Sequence, residues 1–307
     1  MVIYNSIDEL IGNTPLLRLN NLEREFGLKA EIIAKLEYFN PAGSAKDRIA
    51  KAMLDDAEAQ GKINSDTVII EPTSGNTGIG IACVAAARGY KAVIVMPDTM
   101  SVERQKLMTA YGAKLVLTDG KEGMLGAIKE AEKLALKYGN AFIPSQFENS
   151  ANPKAHYDTT GPEIYRDTCG NVDIVVCGIG TGGTVSGVGK YLKEQNQNIK
   201  VIGVEPLGSA VLSGEKAGPH SLQGIGAGFI PKTLDMSVLD EIIKVSDPDA
   251  FSVGKMLGKT EGFIAGISSG AALFAAIEIA KRYENQNKKI VVILPDTGER
   301  YLSTDLF

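Results

Sequence analysis

Short runs of β-branched and other apolar residues recur along this chain, with longer stretches of helical periodicity between them. The runs cover residues 68–71, 92–96, 114–117, 173–177, 201–204 and 290–294. Because they are apolar at nearly every position, they predict strands covered on both faces, as in parallel sheets. Strands that alternate with helices in this way predict an α/β protein with helices on both sheet faces.

Helix ends are marked by capping residues. Ser44, with Asp47 three residues later, is typical of a helix N-terminus, and Gly61 predicts the end of that helix. The same signals predict helices over 76–89 and 124–138, and another that begins at the Asp247-Pro248 pair.

The stretch over 142–153 is polar and lacks clear periodicity, so we expect the chain to cross between two domains there. A chain of 307 residues is long enough for two. The predicted division assigns 40–150 to a smaller domain, and 1–39 together with 151–307 to a larger one. Residues 207–237 are rich in glycine and turn residues, and a loop of that length is usually functional.

The formal net charge of −5 argues against a nucleic-acid-binding or anionic-membrane surface. The first residues lack the basic and apolar regions of a signal peptide, and no apolar run reaches the length of a membrane span. We therefore expect a cytoplasmic protein. Three cysteines without Cys-x-x-Cys spacing and only two histidines argue against a disulfide framework and a metal site.

Lys46 lies in the segment Asn40-Pro41-Ala42-Gly43-Ser44-Ala45-Lys46-Asp47-Arg48, where a turn leads into a helix. The positive end of the helix dipole disfavours an ammonium group in the first turn. A lysine in such a place is more readily a free amine, which is a nucleophile towards aldehydes and a base towards carbon acids.

Two loops that follow strands carry small polar residues and glycines. Pro72-Thr73-Ser74-Gly75-Asn76-Thr77-Gly78 offers backbone N–H groups and hydroxyls at a helix N-terminus, which suits a carboxylate or a phosphate. The second loop, 178–184, fits the dinucleotide-binding glycine pattern, with Glu205 as its ribose-binding acid. It would equally hold one small phosphate monoester, so both interpretations stay open.

Gly266-Ile267-Ser268-Ser269-Gly270 matches the nucleophile elbow of hydrolases. That mechanism needs a histidine after the serine in chain order, and none follows His220, which excludes it. Ser268 is then either a helix N-cap or a hydroxyl that contacts the nitrogen of a bound ring.

A reactive lysine, a phosphate loop and polar contacts to a ring oxygen and a ring nitrogen together predict pyridoxal 5'-phosphate. The chain closely resembles the cysteine synthase (O-acetylserine sulfhydrylase) family of fold-type II pyridoxal-phosphate enzymes. The resemblance runs from Ile11-Gly12-Asn13-Thr14-Pro15-Leu16 to Gly298-Glu299-Arg300-Tyr301-Leu302-Ser303-Thr304, and Glu71-Pro72-Thr73-Ser74-Gly75-Asn76-Thr77-Gly78 is its most specific motif.

This resemblance implies a fold of two doubly wound, mainly parallel sheet domains, similar to the tryptophan synthase β subunit, with the cofactor in the cleft between them. The smaller domain, 40–150, would be the mobile substrate-loop domain, and the larger one would bind the cofactor. A homodimer is expected, and members of the family bind the C-terminus of serine acetyltransferase.

The resemblance also implies roles for single residues. Lys46 matches the lysine that holds the cofactor as a Schiff base and moves the substrate's proton, and Asn76 matches the contact to the ring hydroxyl. Ser268 matches the partner of the ring nitrogen, with no acidic residue near it in the sequence. The residues that match the phosphate loop are Gly180, Thr181, Gly182, Gly183 and Thr184, and those that match the substrate site are Thr73, Ser74, Gly75, Thr77 and Gln146.

The implied reaction is β-replacement, in which O-acetyl-L-serine and sulfide give L-cysteine and acetate through an aminoacrylate intermediate. Within the fold, the alternatives are a cystathionine β-synthase and a cysteine lyase that releases sulfide or forms lanthionine. Outside it stands an NAD-dependent oxidoreductase that uses the 178–183 loop. Ala45 and Ser150 depart from the family pattern at positions outside the matched site and leave the acceptor nucleophile open.

Overall fold

The computed structural model describes residues 3–73 and 75–307. Within them, the strands are β1 (Leu16–Arg18), β2 (Glu31–Leu36), β3 (Val68–Pro72), β4 (Lys91–Pro97), β5 (Lys114–Thr118), β6 (Ala141–Phe142), β7 (Ile174–Gly178), β8 (Lys200–Pro206), β9 (Glu241–Val245) and β10 (Lys289–Leu294). The α-helices are α1 (Asn20–Glu25), α2 (Lys46–Ala59), α3 (Asn76–Arg88), α4 (Val102–Ala110), α5 (Gly123–Tyr138), α6 (Ala151–Ala155), α7 (Gly161–Asp167), α8 (Gly183–Gln195), α9 (Asp247–Thr260) and α10 (Ile267–Lys281).

These strands form two sheets. One has six strands in the order β1-β2-β10-β7-β8-β9, and the other has four in the order β5-β4-β3-β6. All neighbouring strands run parallel except β1, which pairs antiparallel with β2. The predicted α/β fold with two mainly parallel sheets is confirmed.

The six predicted strands are all present, each within two residues of its expected bounds. They are apolar throughout because successive side chains pack into different layers. In β7, Val176 belongs to a core shared with α9 and α10, whereas Val175 and Cys177 belong to one shared with α8. Both faces of the strand are therefore covered by helices, which removes the usual alternation of apolar and polar residues.

The chain divides into two compact units. The first combines the N-terminal segment up to Ile11 with Asn40–Asn152 and contains the four-stranded sheet; the second combines Gly12–Phe39 with Pro153–Phe307 and contains the six-stranded sheet. The segment up to Ile11 joins the first unit, although it lies in the 1–39 part of the predicted larger domain. An ion pair between Asp8 and Arg88 of α3, 2.6 Å long, attaches it there.

In two helices, the N-cap lies one residue away from the predicted N-cap residue, which is Ser44 for α2 and Asp247 for α9. Helix α2 begins at Lys46 with Ala45 at the N-cap position, and Ser44 Oγ accepts a hydrogen bond from the Lys46 N–H at 3.2 Å. The carboxylate of Asp47 turns back to the Ala42 N–H at 2.6 Å instead of closing a capping box. Helix α9 begins at Asp247, because Ser246 supplies the cap.

Among residues 3–73 and 75–307, no helix is long and apolar enough to cross a membrane. The same residues contain no group of three or more His, Cys, Asp or Glu side chains that could hold a metal ion.

Candidate functional site

The predicted substrate-binding residues of the first unit follow neighbouring parallel strands. Strand β3 leads into Thr73 and the start of α3, its neighbour β6 leads to Gln146, and β4 on the other side leads to α4. The carboxyl ends of parallel strands lie at one edge of a sheet, which is where open α/β sheets bind ligands. The topology thus gathers these residues although they are far apart in sequence.

The loop after β3 opens α3 without a capping side chain. Gly75 occupies the N-cap position with φ +154°, and Thr73 Oγ accepts a hydrogen bond from the Gly75 N–H at 3.1 Å. Asn76 is the first helical residue and is partly exposed. Ser74, the remaining loop residue predicted to bind substrate, lies outside the described residues. A helix N-terminus with a glycine at its N-cap suits an anion.

Thr77 and Gln146 are in direct contact, although 69 residues separate them in the chain. The Thr77 hydroxyl donates to Gln146 Oε1 at 2.6 Å, and both side chains are almost fully buried. The structure thereby joins two predicted substrate residues. The hydroxyl proton of Thr77 is used in this bond, and the Gln146 side chain also donates to Glu71. Because an amide NH2 has two protons, the second N–H of Gln146 Nε2 is the better donor to a substrate carboxylate.

Glu71 was missed as a functional residue in the sequence. Its buried carboxylate accepts hydrogen bonds from the Ser145 N–H at 3.1 Å and the Gln146 N–H at 3.5 Å. Burial raises the pKa of Glu71 from 4.5 to about 8, against the lowering effect of these donors. Ser145 has φ +59°, so the bond to Glu71 also fixes a left-handed turn that orients Gln146.

Arg104 was missed as well. This buried residue of α4 lies against the loop, since a Cβ at position 75 would be 2.4 Å from Arg104 Cδ and 2.6 Å from its Nε. Only glycine leaves room for the guanidinium there. The contact places a permanent positive charge beside the predicted carboxylate loop, and no local motif around position 104 indicates it.

Lys46 is the first residue of α2, and its side chain is partly exposed. Its backbone packs directly on α3, because a Cβ at position 80 would lie 3.1 Å from the Lys46 carbonyl oxygen. Helix α3 is the helix that begins in the 72–78 loop, where the substrate is predicted to bind. The first unit therefore holds the lysine and the loop on two helices in close contact.

The predicted phosphate loop lies in the second unit, between β7 and α8. Gly182, at the N-cap of α8, has φ +82°, and the Thr181 hydroxyl accepts a hydrogen bond from the Gly183 N–H at 3.4 Å. Gly180 lies so close to the Gly224 carbonyl oxygen that a Cβ would be 2.3 Å from it. A loop of small residues that leads into a helix N-terminus fits a small phosphate group.

Ser268 lies near this loop. It is the second residue of α10 and is buried, and a Cβ on Gly224 would be 3.4 Å from its Oγ. Gly224 thus touches both Gly180 and Ser268. Asp296, which follows strand β10, lies against Gly266 at the N-cap of the same helix, since its Oδ1 would be 2.1 Å from a Cβ there. Its carboxylate accepts the Tyr301 hydroxyl at 2.6 Å.

Glu205 does not have the setting of a ribose-binding acid. Its buried carboxylate accepts hydrogen bonds from the Leu212 N–H at 2.9 Å, the Ser213 N–H at 3.1 Å and the Ser213 hydroxyl at 2.5 Å. These bonds hold the start of the long 207–237 loop. Because the Glu205 carboxylate is already occupied by these hydrogen bonds, it does not serve as the ribose-binding acid that the dinucleotide interpretation of the glycine loop requires.

The residues present fit pyridoxal phosphate. The second unit offers a glycine-rich loop at a helix N-terminus for the phosphate and a hydroxyl near it, and the first offers a partly exposed lysine on a helix packed against the one that follows a loop suited to anions. Each is chemistry that this cofactor needs in a protein.

The family model of the pyridoxal-phosphate dependent enzymes matches residues 7–296. A cysteine synthase of Staphylococcus aureus is 53% identical over 304 residues, which is 99% of this chain and 97% of that protein. Among solved structures, the cysteine synthase of Entamoeba histolytica has a TM-score of 0.96 at 48% identity, covering 100% of this chain and 91% of its own. A hydrogen sulfide-producing enzyme of Fusobacterium nucleatum has a TM-score of 0.94 at 48% identity, covering 98% and 100%.

These relationships confirm the fold-type II resemblance and the predicted cofactor. A match over nearly the whole length leaves no room for the NAD-dependent interpretation of the 178–183 loop. By its sequence and its fold, the chain belongs to the pyridoxal-phosphate dependent enzymes.

Proposed function

We propose that this enzyme is a cysteine synthase, which replaces the acetate of O-acetyl-L-serine by sulfide to give L-cysteine. The observation that carries the proposal is the group of residues in the first unit. There the backbone of Lys46 packs against α3, the helix that begins in the 72–78 loop, and the Thr77 hydroxyl of that loop is hydrogen-bonded to Gln146. A lysine beside an anion-binding loop suits an amino acid that must lose its Cα proton.

The substrate's α-carboxylate is bound by N–H groups at the uncapped start of α3 and by Gln146 Nε2. Asn76 would contact the ring hydroxyl of the cofactor, residues 180–184 would hold its phosphate, and the Ser268 hydroxyl would be the partner of its ring nitrogen. When bound, pyridoxal phosphate supplies an aldehyde for the substrate's amine and a sink for electrons. We accordingly assign the substrate to the 40–150 domain and the phosphate to the domain that contains β7.

Lys46 moves the proton. Its Nζ takes the Cα proton as acetate leaves Cβ, and returns it to Cα after the sulfur of sulfide has bonded to Cβ. A serine hydroxyl at the ring nitrogen favours the neutral ring more than a carboxylate would. This limits long-lived negative charge at Cα and favours a reaction in which the Cα–H and Cβ–O bonds break close together. Closure of the substrate loop would keep water out meanwhile.

The test is a panel of donors and acceptors. O-acetylserine, serine and cysteine are each offered with sulfide or homocysteine, and kcat/KM is compared. We expect the pair of O-acetylserine and sulfide to give the highest value. A highest value with homocysteine would instead indicate a cystathionine β-synthase.

The Lys46→Ala variant tests whether Lys46 attaches the cofactor and is required for turnover. The purified wild type should be yellow, and borohydride should attach the chromophore to Lys46; the variant should lose turnover. Lys51→Ala is the matched control, because Lys51 lies on the same helix and pairs with Asp55. Normal turnover by Lys46→Ala, or a colourless wild type that binds NAD, would contradict the proposal.

Release of sulfide from cysteine is the second candidate, favoured by the likeness to the Fusobacterium nucleatum enzyme. The same lysine would serve, with hydrosulfide leaving Cβ in place of acetate and water or a second cysteine adding to Cβ. An additional assay with cysteine and no other acceptor tests it, with sulfide as the measured product.

We also propose that the enzyme is a cytoplasmic homodimer and that the C-terminus of serine acetyltransferase competes with its substrate. A peptide carboxylate could use the same N–H groups at the start of α3 as the amino acid. A peptide with a free C-terminus should raise the KM for O-acetylserine, and its amidated form should not. Equal effects of the two peptides would remove the carboxylate from the explanation.

A further inference from the structure

His156 lies next to the predicted phosphate loop, and nothing in the sequence pattern indicates it. The imidazole is 1% exposed. Its Nε2 is 3.1 Å from the Thr184 hydroxyl oxygen, and its Nδ1 is 2.9 Å from that of Thr160. Thr184 belongs to the loop proposed to hold the cofactor's phosphate. A buried ring therefore connects this threonine to a second, fully buried hydroxyl.

The local backbone fixes the ring in that position. Helix α6 passes into a π-helical turn, His156–Thr160, before α7 begins. At Gly187, helix α8 packs closely on α6 and on this turn, because a Cβ there would lie 2.2 Å from the Pro153 carbonyl oxygen and 2.8 Å from His156 Cβ. Thr184 lies one helical turn before Gly187. Wide turns of this kind are rare and occur frequently at functional sites.

The hydroxyl of Thr184 has one proton, so its direction matters. To donate that proton to a phosphate oxygen, its oxygen must be free to accept one from His156 Nε2–H. In a neutral ring Nδ1 is then an acceptor, and the Thr160 hydroxyl can donate its proton to it. In the reverse arrangement, Thr184 donates to Nε2 and has no proton left for an anion.

We propose that His156 is a positioning residue for the phosphate loop: its Nε2–H turns the Thr184 hydroxyl towards the bound phosphate. The inference rests on the proposed function, because it assumes that residues 180–184 hold a phosphate monoester. Anion binding then selects the ring with a proton on Nε2. Thr160, His156 and Thr184 form one directed chain that ends on the phosphate.

The proton's position can be observed directly by ¹⁵N NMR of the imidazoles. The chain has only two histidines, so two rings contribute, and His220→Asn assigns them. His220 is an internal standard, because its Nε2 lies 3.1 Å from the Gly226 carbonyl oxygen, which only accepts and so requires a proton on Nε2. The cofactor-free enzyme is titrated with inorganic phosphate and, separately, with pyridoxal phosphate.

Both ligands should give His156 the Nε2–H pattern that His220 shows throughout. A ring that keeps its proton on Nδ1 alone in the loaded enzyme would overturn the inference, as would a His156 spectrum that neither ligand changes. If borohydride still attaches the cofactor to Lys46 in that case, the proposed function stands and only the role of His156 falls. No attachment at all would instead count against the proposed function.

Variants supply an independent measurement. His156→Leu removes the donor, whereas the amide of His156→Gln can still donate to Thr184. We expect the Leu variant to bind pyridoxal phosphate about tenfold more weakly, which is the effect of one hydrogen bond to a charged group, and the Gln variant to recover most of this. Pyridoxal, which lacks the phosphate, should bind all three proteins equally.

A double-mutant cycle with Thr184→Val completes the test. The combined His156→Leu and Thr184→Val variant should bind pyridoxal phosphate no more weakly than Thr184→Val alone, because the histidine acts through that hydroxyl. Additive losses, or an equal loss of pyridoxal binding in His156→Leu, would show that His156 only supports the fold. If the Leu variant does not fold, the Gln variant and the NMR titration still decide the question.

Discussion

Glu71 links two segments of the predicted substrate site, since it lies at the end of β3 and its carboxylate accepts from the backbone N–H groups of Ser145 and Gln146. Its raised pKa gives a prediction about stability. The folded state keeps the proton up to about pH 8, whereas the unfolded chain releases it near 4.5. Stability from this group is therefore full below pH 4.5 and is lost as the pH rises towards 8.

Glu71→Gln keeps the shape of the protonated carboxyl and cannot ionise. Between these two pH values, the wild type should lose stability relative to the variant, measured as the difference between their thermal unfolding midpoints. Glu132→Gln, at an exposed position of α5, should leave the wild-type dependence intact. Parallel curves for wild type and Glu71→Gln would mean that Glu71 is ionised in the folded enzyme.

Arg104 supplies a prediction about substrate binding. Arg104→Met keeps much of the volume against Gly75 and removes the charge, so the KM for O-acetylserine should rise about tenfold, with a smaller change in kcat. Lys106→Met removes an exposed charge from the same helix and should change neither constant. An unchanged KM for Arg104→Met would show that its charge does not reach the carboxylate.

At the scale of elements, the position of Ser268 depends on how closely α10 approaches α9. A Cβ at Gly270 would lie 2.2 Å from the Ala250 carbonyl oxygen. Gly270→Ala must therefore push the helices apart, and we expect a loss of about 1–3 kcal/mol in the free energy of unfolding. Weaker binding of pyridoxal phosphate should accompany it, because Ser268 lies on the first turn of α10.

Gly258→Ala is the matched control in α9. Its Cβ would lie 3.3 Å from Ile264 Cγ2 and 4.0 Å from the Phe263 carbonyl oxygen, and alanine is the better helix former by about 1 kcal/mol. It should be neutral or slightly stabilising. Denaturant unfolding of both variants checks this pair, and equal losses would remove the helix contact as the cause.

The elements that carry the loops were predictable from the sequence, whereas β2 was not. The apolar run before Gly178 and the glycines after it are local signals, so β7, its loop and α8 could be predicted together. Strand β2 contains Lys35, which breaks the apolar pattern. That lysine is fully buried because Glu163, 128 residues later, lies 2.7 Å from its Nζ, and no local pattern reports such a partner.

The residues of the candidate site also divide into those that the sequence indicates and those that it does not. Lys46, residues 180–184 and Ser268 stand in recognisable segments next to predicted helix starts. Glu71, Arg104 and His156 contribute through contacts with residues brought near by the sheet order or by a π-helical turn. Sequence periodicity describes which face of an element is buried, not which partner it meets there.

At the scale of the whole molecule, the N-terminal segment is the natural candidate for contact with a second subunit. Ile3, Tyr4, Ile7 and Leu10 are all exposed, and Ile3 keeps 82% of its surface accessible. A group of large apolar residues on a surface marks an interaction site. We therefore place the proposed homodimer contact there.

The double variant Ile7→Glu with Leu10→Glu should convert the dimer into a monomer of 32.6 kDa, measured by light scattering after gel filtration. Leu136→Glu tests an equally apolar residue elsewhere, since Leu136 is exposed on α5, and it should leave the dimer intact. A monomeric wild type would contradict the homodimer, and a dimeric double variant would place the contact on another surface.

The order of strands also has a consequence for synthesis on the ribosome. The four-stranded sheet is complete once Phe142 has emerged, so the first unit can fold while the rest of the chain is still being made. Strand β2 must wait for β10, its parallel neighbour, which begins only at Lys289. During that interval the edge of β2 that pairs with β10 stays open, so we expect this segment to be the part of the nascent chain that most needs protection by a chaperone.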